Sequence, residues 1–208
     1  SYVIPSTVKT IDAYAFESHQ KLKSITIPDS ITEIPIHAFD CCCRLETVTF
    51  SNSVFSIGDS AFKSCWSLKS ITIPNSVKSI GCYAFQKCST LESVVIPDSA
   101  TSIGNGIFME CLNLKSVEIP NSVNSIRDYA FFDCSGLKSV TISSSVTEIG
   151  FNAFNGCIKL TSIVIPDSVT DIRGYAFDDC PGLQSVYLPK HLEYPSNAFP
   201  DGAIITKY

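Results

Sequence analysis

The stretch LKSITIPNSVKSIGCYAF, residues 68–85, recurs along the whole chain with a step of 23 residues. Leu22, Leu45, Leu68, Leu91, Leu114, Leu137, Leu160 and Leu183 keep that step, as do Phe16, Phe39, Phe62, Phe85, Phe108, Phe131, Phe154 and Phe177. Phe199 arrives one residue early, which predicts a deletion in the last unit. Pro5, Pro28, Pro74, Pro97, Pro120, Pro166 and Pro189 fill another column, with Ser51 and Ser143 in its two gaps. A fixed period of this length is the mark of a stacked repeat architecture.

Each unit opens on LxxLxL. In Leu22–Ile27 the alternation sends Ile25 and Ile27 inward and Ser24 and Thr26 outward. Pro28 ends the strand because it has no N–H to give a ladder. Asp29 and Ser30 then turn the chain through local hydrogen bonds. Ile31 and Ile34 resume the inward set, and Ala38, Phe39 and Cys42 follow at a spacing that predicts one short helical or 3₁₀ turn. One unit cannot bury its own apolar face, whereas stacked units can. At about 4.8 Å per parallel strand, nine coils extend over roughly 40 Å.

Residues 68–77 and 79–85 resemble the BspA-like leucine-rich repeat family, and the resemblance covers essentially the whole chain. It implies a β-rich, right-handed leucine-rich-repeat solenoid with a parallel concave sheet, short second strands and short 3₁₀ or helical turns opposite. It also implies a secreted or cell-surface protein, in several relatives an adhesin. The expected organisation is a single solenoid over residues 1–208, of about nine repeats. The chain starts and stops inside strands and shows no polar capping repeat, so it is read as a fragment of a longer array.

Composition narrows the function. Fifteen Lys and Arg stand against twenty Asp and Glu, a net charge of -5, with no basic cluster of the kind that neutralises phosphates. Nucleic acid is therefore not an expected partner. No apolar run approaches the ~18 residues of a membrane span, so membrane insertion is not expected either.

Ten cysteines invite a disulfide or metal reading. Seven of them, Cys42, Cys65, Cys88, Cys111, Cys134, Cys157 and Cys180, sit three residues after each Phe. Seven in one line cannot all pair within it, and no CxxC occurs. Their place among inward Phe and Leu favours a stacked ladder of reduced, buried thiols. Cys41, Cys43 and Cys82 lie outside the column, and whether they form disulfides is left open. His19 stands one coil before Cys42, and a Cys–His pair can be a nucleophile with its base. That pair lacks an orienting carboxylate and a cleft. No catalytic residue, metal site or cofactor is assigned.

The remaining surface is the outward strand face. One column is Ser24, Thr47, Ser70, Ser93, Ser116, Ser139, Ser162 and Ser185. The next is Thr26, Thr49, Thr72, Val95, Glu118, Thr141, Val164 and Tyr187. Ser and Thr suit a solvated pleat, so the departures at Val95, Glu118, Val164 and Tyr187 are where recognition is expected. Lys23, Glu46, Lys69, Glu92 and Lys115 alternate in sign, predicting charge pairing between coils. A second serine column, from Ser30 through Ser168, is expected to satisfy turn amides. The expected function is a non-enzymatic protein-binding module, its ligand a host or matrix protein and its state monomeric or weakly self-associating. The alternative is a structural spacer or self-associating array. A regular ice-binding surface is disfavoured because the sheet should curve.

Overall fold

The protein is seen in a computed structural model whose described residues are 1–101 and 104–208. In chain order its strands are β1 (Tyr2–Val3), β2 (Ser24–Thr26), β3 (Glu33–Ile34), β4 (Thr47–Thr49), β5 (Ser56–Ile57), β6 (Ser70–Thr72), β7 (Ser79–Ile80) and β8 (Ser93–Val95). They continue as β9 (Ser116–Ile119), β10 (Ser125–Ile126), β11 (Ser139–Ile142), β12 (Glu148–Ile149), β13 (Ser162–Val164), β14 (Asp171–Ile172), β15 (Ser185–Leu188) and β16 (Ile204–Lys207). All pairings are parallel and most step by one repeat, as Ile25 opposite Val48 and Val117 opposite Val140 illustrate.

The longer strands stack on one face in the groups β1-β2-β4, β6-β8, β9-β11 and β13-β15-β16. The two-residue strands other than β1 form a second, narrower face as β3-β5-β7 and β10-β12-β14. The last register steps from Ser185 to Ile204, 19 residues in place of 23. The unit is thus shortened by more than the single residue visible at Phe199. Gly202, at φ 90°, makes the tighter return, a conformation that costs glycine little.

The third side is built differently from the sequence expectation. Residues around each Phe form a run of turns, with no helix among the described residues. Alternate N–H groups divide their bonds. Ala15, Glu17 and His19 donate to carbonyls three residues back, while Tyr14, Phe16 and Ser18 donate to Ile36, Ala38 and Asp40 of the next coil. A helical turn would direct its amides along its own axis and leave none for stacking. Two left-handed residues in each coil from Phe16 to Phe177 produce the alternation. They stand two before and two after the Phe, as Tyr83 (φ 57°) and Lys87 (φ 60°) flank Phe85. A left-handed side chain costs roughly 1–2 kcal/mol. The inter-coil bonds, such as Tyr83 N–H to the Asn105 carbonyl at 2.8 Å, offset it.

The core is one continuous cluster from Ile4 to Phe199. Its spine is a file of nine stacked phenylalanines. Centroids are 5.0 Å apart at Phe16–Phe39, 5.6 Å at Phe85–Phe108 and 5.2 Å at Phe177–Phe199. Such pairs add about 0.5–1.5 kcal/mol each beyond the area they bury. Residues 93–115 depart from the repeat, with Ala100 where neighbouring coils have Val and Ile107 where they have Ala. Both are buried.

Candidate functional site

The thiol column is buried as the sequence implied. Cys42, Cys65, Cys88, Cys111, Cys134, Cys157 and Cys180 are all inaccessible, and all ten cysteines are free. The geometry adds what spacing alone does not reveal. Each column thiol donates to the carbonyl of the Phe in the preceding coil. Cys42 Sγ lies 3.0 Å from Phe16 O, Cys111 Sγ 3.2 Å from Phe85 O, and Cys180 Sγ 3.2 Å from Phe154 O. Burial disfavours the thiolate and pushes Cys42, Cys88 and Cys180 up to about 12. Cys65, Cys111, Cys134 and Cys157 move the same way for the same reason.

An activated nucleophile requires the opposite shift. The His19 ring is turned away from that role, packing edge-on to Phe16 at 5.7 Å and placing Nδ1 3.4 Å from Glu17 O. Outside the column, Cys41 is exposed and Cys43 and Cys82 are half-buried. A native-state thiol assay with a membrane-impermeant maleimide is expected to label these three. After denaturation it should label ten. Native labelling of four or more without loss of structure would contradict the buried ladder.

The second serine column does not bond to turn amides. Ser76, Ser99 and Ser168 donate instead to the carbonyls of Val54, Val77 and Val146 in the preceding coil. Ser51 and Ser143, in the gaps of the proline column, donate likewise to Pro28 O at 3.2 Å and Pro120 O at 3.0 Å. These five hydroxyls tie coil to coil, whereas those of Ser30 and Ser122 are buried without a partner. Turn amides are met within the coil, Val77 N–H by Pro74 O and Ser53 N–H by Ser51 Oγ at 3.3 Å. In the column of alternating charge, Glu92 and Lys115 pair, and that contact lowers the Glu92 carboxyl. Lys23 and Glu46 form no ion pair among the described residues. Exposed pairs of this sort contribute little.

The outward column predicted for recognition stands on the long-strand sheet. Thr26 faces Thr49, Thr72 faces Val95, Glu118 faces Thr141, and Val164 faces Tyr187 across the register. Val95 is 65% exposed, Val164 57% and Tyr187 42%. Three of the eight residues, Val95, Glu118 and Thr141, meet in one groove of about 840 Å³. Its floor is β8, β9 and β11, and Asn75, Asp98 and Asn121, from the turns after β6, β8 and β9, border it. Here β8 and β9 share no paired register among the described residues, and Lys115 N–H reaches the Glu92 carbonyl at 3.2 Å. Val164 and Tyr187 lie further along the face and do not line the groove.

The turn side carries features that the column reading missed. Trp66 (53% exposed), Leu112 and Ile158 follow alternate column cysteines and point to solvent. Tyr129, Phe151 and Tyr175 form an edge-to-face strip at 5.8 and 5.5 Å. Asp59 Oδ1 accepts the Cys82 N–H at 2.7 Å, and Asp128 Oδ1 the Phe151 N–H at 2.8 Å. Asp at residues 59 and 128, three before a Phe, was the available signal.

Parallel coils, a Phe spine and one broad strand face define a leucine-rich-repeat solenoid. The chain belongs to the BspA type leucine rich repeat family, which it matches in six copies over residues 1–115 and 101–207. It is similar to the leucine-rich repeat protein TpLRR of T. pallidum, at 32% identity and TM-score 0.71, with 76% of each chain covered. A leucine-rich repeat protein of Bacteroides ovatus is similar at 27% identity and TM-score 0.55, over 99% of this chain and 83% of that one. A leucine rich cell surface protein of Faecalibacterium prausnitzii shares 29% identity at TM-score 0.60 over 94% of this chain. The alignment spans 62% of that protein's length. No curated protein matches the chain. No helix among the described residues is long and apolar enough to cross a membrane.

Proposed function

We propose that the chain is a non-enzymatic protein-binding module of a secreted or cell-surface protein, adhesin-like, whose ligand meets the long-strand sheet. The observation carrying this reading is the outward column on a continuous face. It is Thr at Thr26, Thr49 and Thr72, then departs at Val95, Glu118, Val164 and Tyr187. Parallel stacking fixes the separation of these side chains, so sequence variation along the column becomes spatial pattern without any loop insertion. Tyr187 supplies an aromatic group of the kind enriched at interface hot spots, and Glu118 a charge that sets orientation. The cell-surface relative supports the location.

The test is capture of matrix and cell-surface proteins by the immobilised chain, compared with a Tyr187→Ala, Glu118→Lys double variant. Both side chains are exposed, so the variant is expected to keep its circular dichroism and melting profile. It should lose at least roughly ten-fold in affinity, the scale of an interface anchor. If a partner binds the double variant unchanged and Trp66→Ala or Tyr83→Ala abolishes binding, the turn side is the ligand face. If no partner is captured, the spacer reading takes its place.

A further inference from the structure

We infer that the groove across β8, β9 and β11 is built to receive a lysine or arginine side chain from an extended segment of the protein partner. This inference rests on the long-strand face being the ligand face. Among the groove's lining residues are two carboxylates, Asp98 and Glu118, and no Lys or Arg. Neither carboxylate has an ion-pair partner among the described residues, whereas Glu92, one residue before β8, is paired with Lys115. The groove's charge is thus unsatisfied from within the chain, and the net charge of -5 points the same way.

The apolar part of the groove narrows the choice. Val95 stands one coil before Glu118 in the same outward column, more than half exposed. An aliphatic surface beside a carboxylate matches a side chain with a methylene stem and a cationic head. The stem lies on Val95 and the head reaches Glu118, with Asp98 on the bordering turn. Around them, the hydroxyls of Ser93, Ser116 and Thr141 offer donors and acceptors to a polar main chain. Lys115 and Lys138 stand at the other end of the strands and do not line the groove; Lys115 is already engaged by Glu92.

The experiment uses the whole chain, ¹⁵N-labelled, titrated with the capped peptide acetyl-Ser-Thr-Arg-Thr-Ser-amide. A matched peptide carries citrulline in place of arginine, which keeps shape and removes charge. Arginine peptide is expected to shift the amides of residues 93–98 and 116–119, and citrulline peptide to bind at least roughly ten-fold more weakly. Glu118→Gln should reduce arginine-peptide affinity by a similar factor while leaving the spectrum elsewhere unchanged. Binding should also weaken as salt is raised.

Equal affinity for the two peptides, shifts confined to other residues, an unaffected Glu118→Gln variant, or no shift at millimolar peptide would each overturn the inference. Those results leave the double-variant capture test untouched. If arginine peptide maps to the groove but a captured partner ignores the double variant, the broader reading fails and this inference fails with it, whereas a failure of the peptide test alone leaves the broader reading standing.

Discussion

Raising the pH from 7 to 10 is expected to unfold the protein, because its column thiols cannot ionise where they are. The ordinary thiol value is 9.0, and burial pushes Cys42, Cys88 and Cys180 to about 12, with the other four displaced in the same direction. A pKa raised on folding contributes stability that is fully present below the unfolded value. It is lost as pH climbs from there toward the folded value. The window therefore opens near pH 9, and for Cys42, Cys88 and Cys180 it closes near pH 12. At pH 10 each thiol ionises in the unfolded chain and stays protonated in the folded one, a loss of about 1.4 kcal/mol apiece. With all seven column thiols displaced in the same direction, the combined loss is a large share of a domain's stability of roughly 5–15 kcal/mol.

Urea-unfolding curves between pH 7 and 10.5, read by circular dichroism, measure this directly. A Cys88→Ala, Cys111→Ala variant should have a shallower pH slope, by about 1.4 kcal/mol per pH unit for each thiol removed. An identical slope in the variant would show that other groups govern the alkaline transition.

A single carboxylate in the same column should be nearly as disruptive at neutral pH. Cys111 is wholly buried, with its sulfur 3.2 Å from the Phe85 carbonyl. In Cys111→Asp a carboxylate would meet an acceptor where the thiol offered a donor, so it must take up a proton. Protonating Asp at pH 7, against an ordinary value of ~3.9, costs about 4 kcal/mol. The second oxygen then lacks a partner, for roughly 1–3 kcal/mol more. Destabilisation of about 5–7 kcal/mol at pH 7 is expected, against about 1–2 for Cys111→Ala. The two variants are separated by pH as well as magnitude. Most of the aspartate penalty should vanish at pH 4, while the alanine penalty should not change. Equal stabilities for the two at pH 7 would mean that water reaches the column.

The recurrence of Leu, Phe, Pro and Cys at one step was enough to determine stacked coils, parallel strands and which residues face inward. Those are consequences of alternation and period, and each can be read from a single unit copied along the chain. Val95, Glu118, Val164 and Tyr187 were legible as outward positions for the same reason. The structure alone decided what the alternation cannot encode.

Whether the segment around each Phe coils into a helix depends on where its amides find acceptors. In isolation they would serve each other, but the next coil's carbonyls at Ile36, Ala38 and Asp40 draw off alternate N–H groups and hold Tyr14 and Ser18 left-handed. The thiols' acceptors, the Phe carbonyls one coil back, are likewise set by stacking. So is the groove. Val95, Asp98, Glu118 and Thr141 come from three coils, and their meeting depends on how β8 lies against β9, a relation between backbones that no local pattern specifies.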